Sequence, residues 1–240
     1  MRGSRTLVAL LVVVGAALLA TLPAGAANEC AGLRVCVPVA GPWVVVPAST
    51  STPREHVEYQ LSCPRGHIVG GLDARLSVRA IDVSFLATLG SPVNPGITTS
   101  TAAVFDGFYT GVTRQVTSFR PHLGCIPASG GGGSPPTMIS LRPAVFPPGR
   151  PLVRRVRTVN AVAGRTTRGA QGCARNERLV GASHAVGFYT QTAPASTVAT
   201  SVSVRRTVRG GRVAVVVGAD VSLRVRAVVQ VHALCAGTGR

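Results

Sequence analysis

The chain has 240 residues, 46% of them hydrophobic and 14% charged, with 25 basic residues against eight acidic ones and a formal net charge of +17. Every basic residue is arginine, so the glycine-rich stretches lack the lysine that a phosphate-binding P-loop requires. Ten aromatics (one Trp, three Tyr, six Phe) are few for a nucleic-acid stacking platform, and the eight scattered acids offer no carboxylate pair for glycoside hydrolysis.

Residues 1–26 read as a cleavable signal peptide. Arg2 and Arg5 form a positive start, Leu7 to Leu19 an apolar stretch, and Ala24-Gly25-Ala26 a small-residue cleavage site. The apolar run is shorter than the roughly 20 residues of a membrane span, and no later segment qualifies as one. Glu29 before Cys30 argues against lipid attachment. An exported chain starting near Ala27 and destined for the cell envelope or the extracellular space is therefore expected. Removing Arg2 and Arg5 from the 25 arginines leaves 23 against eight acids, a net +15.

Residues 27–50 form an N-terminal segment in which Cys30 and Cys36 close a small loop. Residues 51–128 form a first β module, with looser alternation from Leu76 to Val83 and core aromatics at Phe85, Phe105 and Tyr109; Trp43, upstream, has the same apolar setting. Ser129 to Pro136 is a Gly/Ser/Pro linker, flexible and then stiffened by proline. Residues 137–240 form a second β module. There Leu152 to Val159 alternates around Arg155 and Arg157, and Val204 to Val217 reads as a hairpin turning at Gly210-Gly211. Val221 to His232 alternates most clearly: Val221, Leu223, Val225, Ala227, Val229 and Val231 share one face, Ser222, Arg224, Arg226, Gln230 and His232 the other. The expected fold is all-β: two tandem, related, β-sandwich-like modules, each closed by a disulfide. One pseudo-symmetric domain with the glycine run as a surface loop is the alternative.

Two equal cysteine spacings carry the relatedness. Cys63 to Cys125 and Cys173 to Cys235 each span 62 positions, and the second pair lies 110 residues beyond the first. At that offset Arg65 meets Arg175, Gly71 meets Gly181, and His122 meets His232. Gly66 meets Asn176, two residue types that tolerate positive φ. A recurrence of Gly107-Phe108-Tyr109-Thr110 at Gly187-Phe188-Tyr189-Thr190 has a different offset, 80, and reads as coincidence. In an oxidising compartment six cysteines are expected to form three bridges. Of the 15 possible connectivities the spacing favours Cys63–Cys125 and Cys173–Cys235, leaving Cys30–Cys36.

The segment Cys63-Pro64-Arg65-Gly66-His67-Ile68-Val69-Gly70-Gly71 resembles a Cys-Pro-x-Gly-x-x-Val-Gly-Gly pattern of secreted β-rich proteins of high-GC bacteria. The resemblance implies an exported envelope or extracellular protein, and carries over no catalytic residue. The second copy departs from it at the proline and both central glycines.

Enzyme signatures are lacking. His56, His67, His122, His184 and His232 have no Gly-x-Ser-x-Gly elbow beside them, and no His-x-x-x-His or Cys-x-x-Cys spacing suggests zinc. No cofactor is expected. The candidate site is instead a set of arginines suited to carboxylate or phosphate: Arg154, Arg155, Arg157, Arg205, Arg206, Arg209, Arg212, Arg224 and Arg226, all in the second module. Adhesion to an anionic envelope polymer or surface is the functional expectation, with no specific nucleic-acid partner. A purely structural or assembly role, in which codon bias sets the charge, and a hydrolase acting through Asp73 or His184 are the rivals. Nothing in the sequence sets the oligomeric state.

Overall fold

The computed structural model describes residues 28–48, 53–86, 101–112, 115–128 and 152–237. The expected signal peptide (residues 1–26) and the expected linker (residues 129–136) lie outside them. The strands are β1 (Val37–Ala40), β2 (Trp43–Val46), β3 (His56–Ser62), β4 (His67–Leu76), β5 (Ile81–Leu86), β6 (Ala102–Tyr109), β7 (Thr117–Pro127), β8 (Leu152–Ala161), β9 (Thr166–Gly172), β10 (Glu177–Tyr189), β11 (Val202–Arg209), β12 (Arg212–Ala219) and β13 (Arg226–Gly237). A single helical turn, α1 (Ser196–Ala199), precedes β11. The described chain is thus nearly all β, and its three disulfides join Cys30–Cys36, Cys63–Cys125 and Cys173–Cys235.

A seven-stranded antiparallel sheet runs through the molecule. β4 lies along one edge of β7, while β1 and β2 share the other; β2 then pairs with β10, β10 with β13, and β13 with β8. Two three-stranded sheets, β3-β6-β5 and β9-β12-β11, accompany it. One core fills the space between the first half of the main sheet and β3-β6-β5, with Val44, Tyr59, Phe105, Phe119 and Leu123. The other lies against β9-β12-β11, with Val213, Val215, Val217, Val229 and Val231. The spacing of two between these valines is what a strand with one buried face requires. Burying each one fully contributes roughly 1.5–3 kcal/mol before ordering costs.

Pairing in one half recurs in the other. Val69 opposes Cys125 and Leu179 opposes Cys235, each followed by a bulge at Gly70 or Val180 and resumption at Gly71 or Gly181. His56 opposes Phe108 as Thr166 opposes Gly218. Ile81 opposes Tyr109 as Val202 opposes Ala219; here residues 190–201, with α1, lengthen the second connection. Gly107–Tyr109 and Gly187–Tyr189 occupy non-equivalent strands, β6 and β10.

Several local expectations are corrected. Leu76 to Val83 is no strand: β4 stops at Leu76, and residues 77–80 turn the chain into β5. The last strand starts at Arg226, because Asp220 accepts from the Ser222 N–H and holds the preceding residues in a turn. Gly66 takes positive φ (78°), but Asn176 does not. Trp43, Phe105 and Tyr109 are core residues, whereas Phe85, at the open end of β5, is 41% exposed. The hairpin does turn at Gly210 and Gly211, both with positive φ.

Candidate functional site

The arginines expected to converge are dispersed. The hairpin β11-β12 and the final strand β13 belong to different sheets, so Arg224 and Arg226 do not join Arg205 and Arg209. Arg224 donates to the Val221 carbonyl, and Arg226 stacks 4.5 Å from the Tyr189 ring. Neighbours in a strand face opposite ways, so Arg206 leaves the Arg205 face and donates to the Ala182 carbonyl of β10. Arg155 is held by both oxygens of Glu177, at 3.0 and 2.7 Å, and Arg154 by both oxygens of Glu58, each at 2.7 Å. Arg157 is exposed on β8.

Three of the expected residues do share one surface, and a fourth arginine missed in the sequence joins them. Register places Arg205, Val216 and Arg168 in one row across β11-β12-β9, and pairs Arg209 with Arg212 beside the turn. Opposed residues of an antiparallel pair project from the same side. That side is outward: Val213, Val215 and Val217, on the other face, are buried, while all four arginines are exposed. Among the described residues the side chains of Arg168, Arg205, Arg209 and Arg212 have no ion-pair or hydrogen-bond partner, and their sheet face carries no acid. Arg168 was detectable only through register, because it lies 37 positions from Arg205 in the chain and meets it across β12.

The corresponding face of β3-β6-β5 has the opposite sign. Glu58 stands where the second half has Arg168, Asp106 where it has Val216, and Asp82 where it has Ser203. This face meets the main sheet of the second half in a cleft of about 220 Å³ lined by His56, Glu58, Asp106, Arg154, Ser183 and His232, among others. Besides Arg154, Glu58 accepts the Ser183 hydroxyl at 2.7 Å. Burial pushes the Glu58 carboxyl up, but these hydrogen bonds and the Arg154 charge outweigh it and hold it below its ordinary value. The Gln230 amide bonds both the N–H and the carbonyl of Gln60, each at 2.8 Å. His232, 1% exposed, lies between Gln230 and Arg154. Burial pushes its ring down to about 4, and the Arg154 charge adds to this.

Chemically the cleft is a polar joint. A serine nucleophile needs a base to take its proton. Ser183 instead donates to a carboxylate already gripped on both oxygens by arginine. His56 lies 3.1 Å from both oxygens of Asp106 and is half exposed. Asp73 and His184, the residues of the hydrolase rival, lie on β4 and β10, which β7 and β2 separate in the main sheet. Asp73 accepts from the backbone N–H groups of Asn28 and Ala74. Burial first, then the nearby Arg206, pushes His184 below its ordinary value. Among the described residues one group, Cys173, Glu177 and Cys235, has the spacing for a metal, but its cysteines are joined in a disulfide and offer no thiolate. Compared with known proteins, the chain matches no family model, no curated protein and no solved structure.

Proposed function

We propose that this is an exported, non-catalytic protein of the cell envelope or extracellular space, built from two copies of one β unit, that holds an anionic polymer on the outer face of β9-β12-β11. One observation carries the reading: four arginines with unpartnered side chains on an acid-free face whose counterpart in the first half is acidic. Codon bias accounts for arginine in place of lysine. It does not account for opposite charge at equivalent places of two related sheets. Strands spaced about 4.8 Å apart put Arg205 and Arg168 about 10 Å from each other, with Arg209 and Arg212 paired beyond them. That array suits repeated carboxylates or phosphates, which arginine holds through its two-pronged guanidinium.

The test is retention on immobilised inorganic polyphosphate across a salt series. Retention at low salt and release at high salt are expected, since each phosphate contact frees a counterion. Replacing Arg168, Arg205, Arg209 and Arg212 together by serine should abolish retention and leave thermal unfolding unchanged. Retention that ignores salt, or that survives the fourfold replacement, would sink the reading and favour a structural role with compositional charge.

A further inference from the structure

The joint between the halves runs head to tail. The outer face of the first three-stranded sheet, through Glu58, sits over Gly181, Ser183, His232 and Leu234 on the main sheet of the second half. A head-to-tail contact leaves one donor face and one acceptor face unused. The unused donor is the arginine face, with Arg168 in the place of Glu58. The unused acceptor is the matching surface of β4 and β7: Gly71, Asp73, His122 and Gly124, each 110 positions before its counterpart.

That acceptor is covered by the N-terminal loop. The Asn28 N–H donates to Asp73, and a Cβ at either Gly71 or Gly124 would collide with the Glu29 carbonyl. Glu29 also lies against His122, at 3.4 Å, as Glu58 does near His232. The loop therefore occupies the place that the first half occupies on the second. Its fit is poorer: Glu29 Oε2 and both ring nitrogens of His122 are buried without a hydrogen bond. In the second half the counterpart histidine is bonded through Gln230 and faces Arg154, and Glu58 is fully engaged. Unsatisfied buried polar groups make a cover that is readily displaced.

We propose that residues 28–36, tied by the Cys30–Cys36 bridge, are a cap, and that a chain whose cap is lifted accepts a second copy of itself, the Arg168 face of one against Asp73 of the other. Charge is complementary there, with the signs reversed from the internal joint, and the contact continues the geometry the chain already uses once. It is expected to be weak. β10 reaches Gly187 and Phe188, where it pairs with β2, but β4 ends at Leu76, so the copies lack that strand pairing and meet through the face alone.

Sedimentation velocity of the chain from Ala27 onward, at about 50 μM and low salt, tests this, since a weak contact is populated there. The unaltered chain should be monomeric. Gly71→Ala should evict the Glu29 carbonyl and about double the weight-average mass. It should not block the incoming copy, because at the counterpart Gly181 an added Cβ would meet nothing but Leu234. In that background Arg168→Glu should restore the monomer, and Arg168→Asp with Asp73→Arg should restore assembly. If Gly71→Ala fails to fold, Cys30→Ser with Cys36→Ser lifts the cap by another route. Assembly of the unaltered chain, monomers after uncapping, or assembly untouched by Arg168→Glu would each overturn the proposal. None of these outcomes bears on polyphosphate retention, so the polyanion reading stands or falls separately.

Discussion

Acid should loosen the joint between the halves through His232. Its ring is 1% exposed, with Nε2 3.0 Å from the Gln230 amide oxygen and Nδ1 3.4 Å from Arg154. Burial, aided by the arginine, pushes it from 6.5 down to about 4. Between those values the unfolded chain binds a proton that the folded chain refuses, so stability falls as pH falls through this window. About 2.5 pH units at 1.36 kcal/mol each amount to roughly 3 kcal/mol, a large part of a domain's net stability. His184, also pushed down, adds a contribution of the same sign. Glu58, held below its ordinary 4.5, acts at lower pH: its contribution is present above that value and is lost as its carboxylate protonates. Urea unfolding, followed by the fluorescence of the one tryptophan, Trp43, should give a midpoint that drops steadily from about pH 6.5 to about pH 4.5. His232→Gln should be less stable at neutral pH and show a shallower slope across that range, what remains coming from His184. An unchanged slope in His232→Gln would refute the reasoning.

Three further outcomes are expected. Gln230→Leu strands the Gln60 N–H and carbonyl; it should cost about 1–3 kcal/mol for each group left dry, measured by the same unfolding. Arg154→Met leaves Glu58 with one hydrogen bond and a partly buried charge. It should cost about 2–3 kcal/mol, while Arg154→Met combined with Glu58→Gln should recover part of that in a double-mutant cycle. Phe119→Ala, at a fully buried site, should lose about 3–5 kcal/mol, and Phe85→Ala, at an exposed strand end, far less; equal losses would contradict the placement of both side chains.

What could be read before the structure was what short range controls. Alternation marks β8 and the core face of β13, the Gly210-Gly211 pair marks the hairpin, and the cysteine spacing selects three pairings. The errors arise where a distant contact overrides a local pattern. Gln230 and His232 sit on what looks like the polar face of an amphipathic strand, yet the first half covers that face, so β13 is buried on both sides. Arg154 and Arg155 look like one basic group, but adjacent strand residues diverge, one to Glu58 and one to Glu177. The arginine face is legible only after register is known, since Arg168 and Arg205 are 37 positions apart in the chain and meet across β12.

The continuous main sheet also bears on the order of folding. A chain that emerges N-terminus first presents β1 to β7 as a group before any of β8 to β13 follows. Those strands pair among themselves, share a core, and can close Cys63–Cys125 alone. What they then expose is the free edge of β2 and the Glu58 face, the two surfaces that the second half needs in order to dock. The half that emerges first becomes the template, and the order of the chain makes it the half whose remaining open side carries Glu58, ready for the Arg154 that follows.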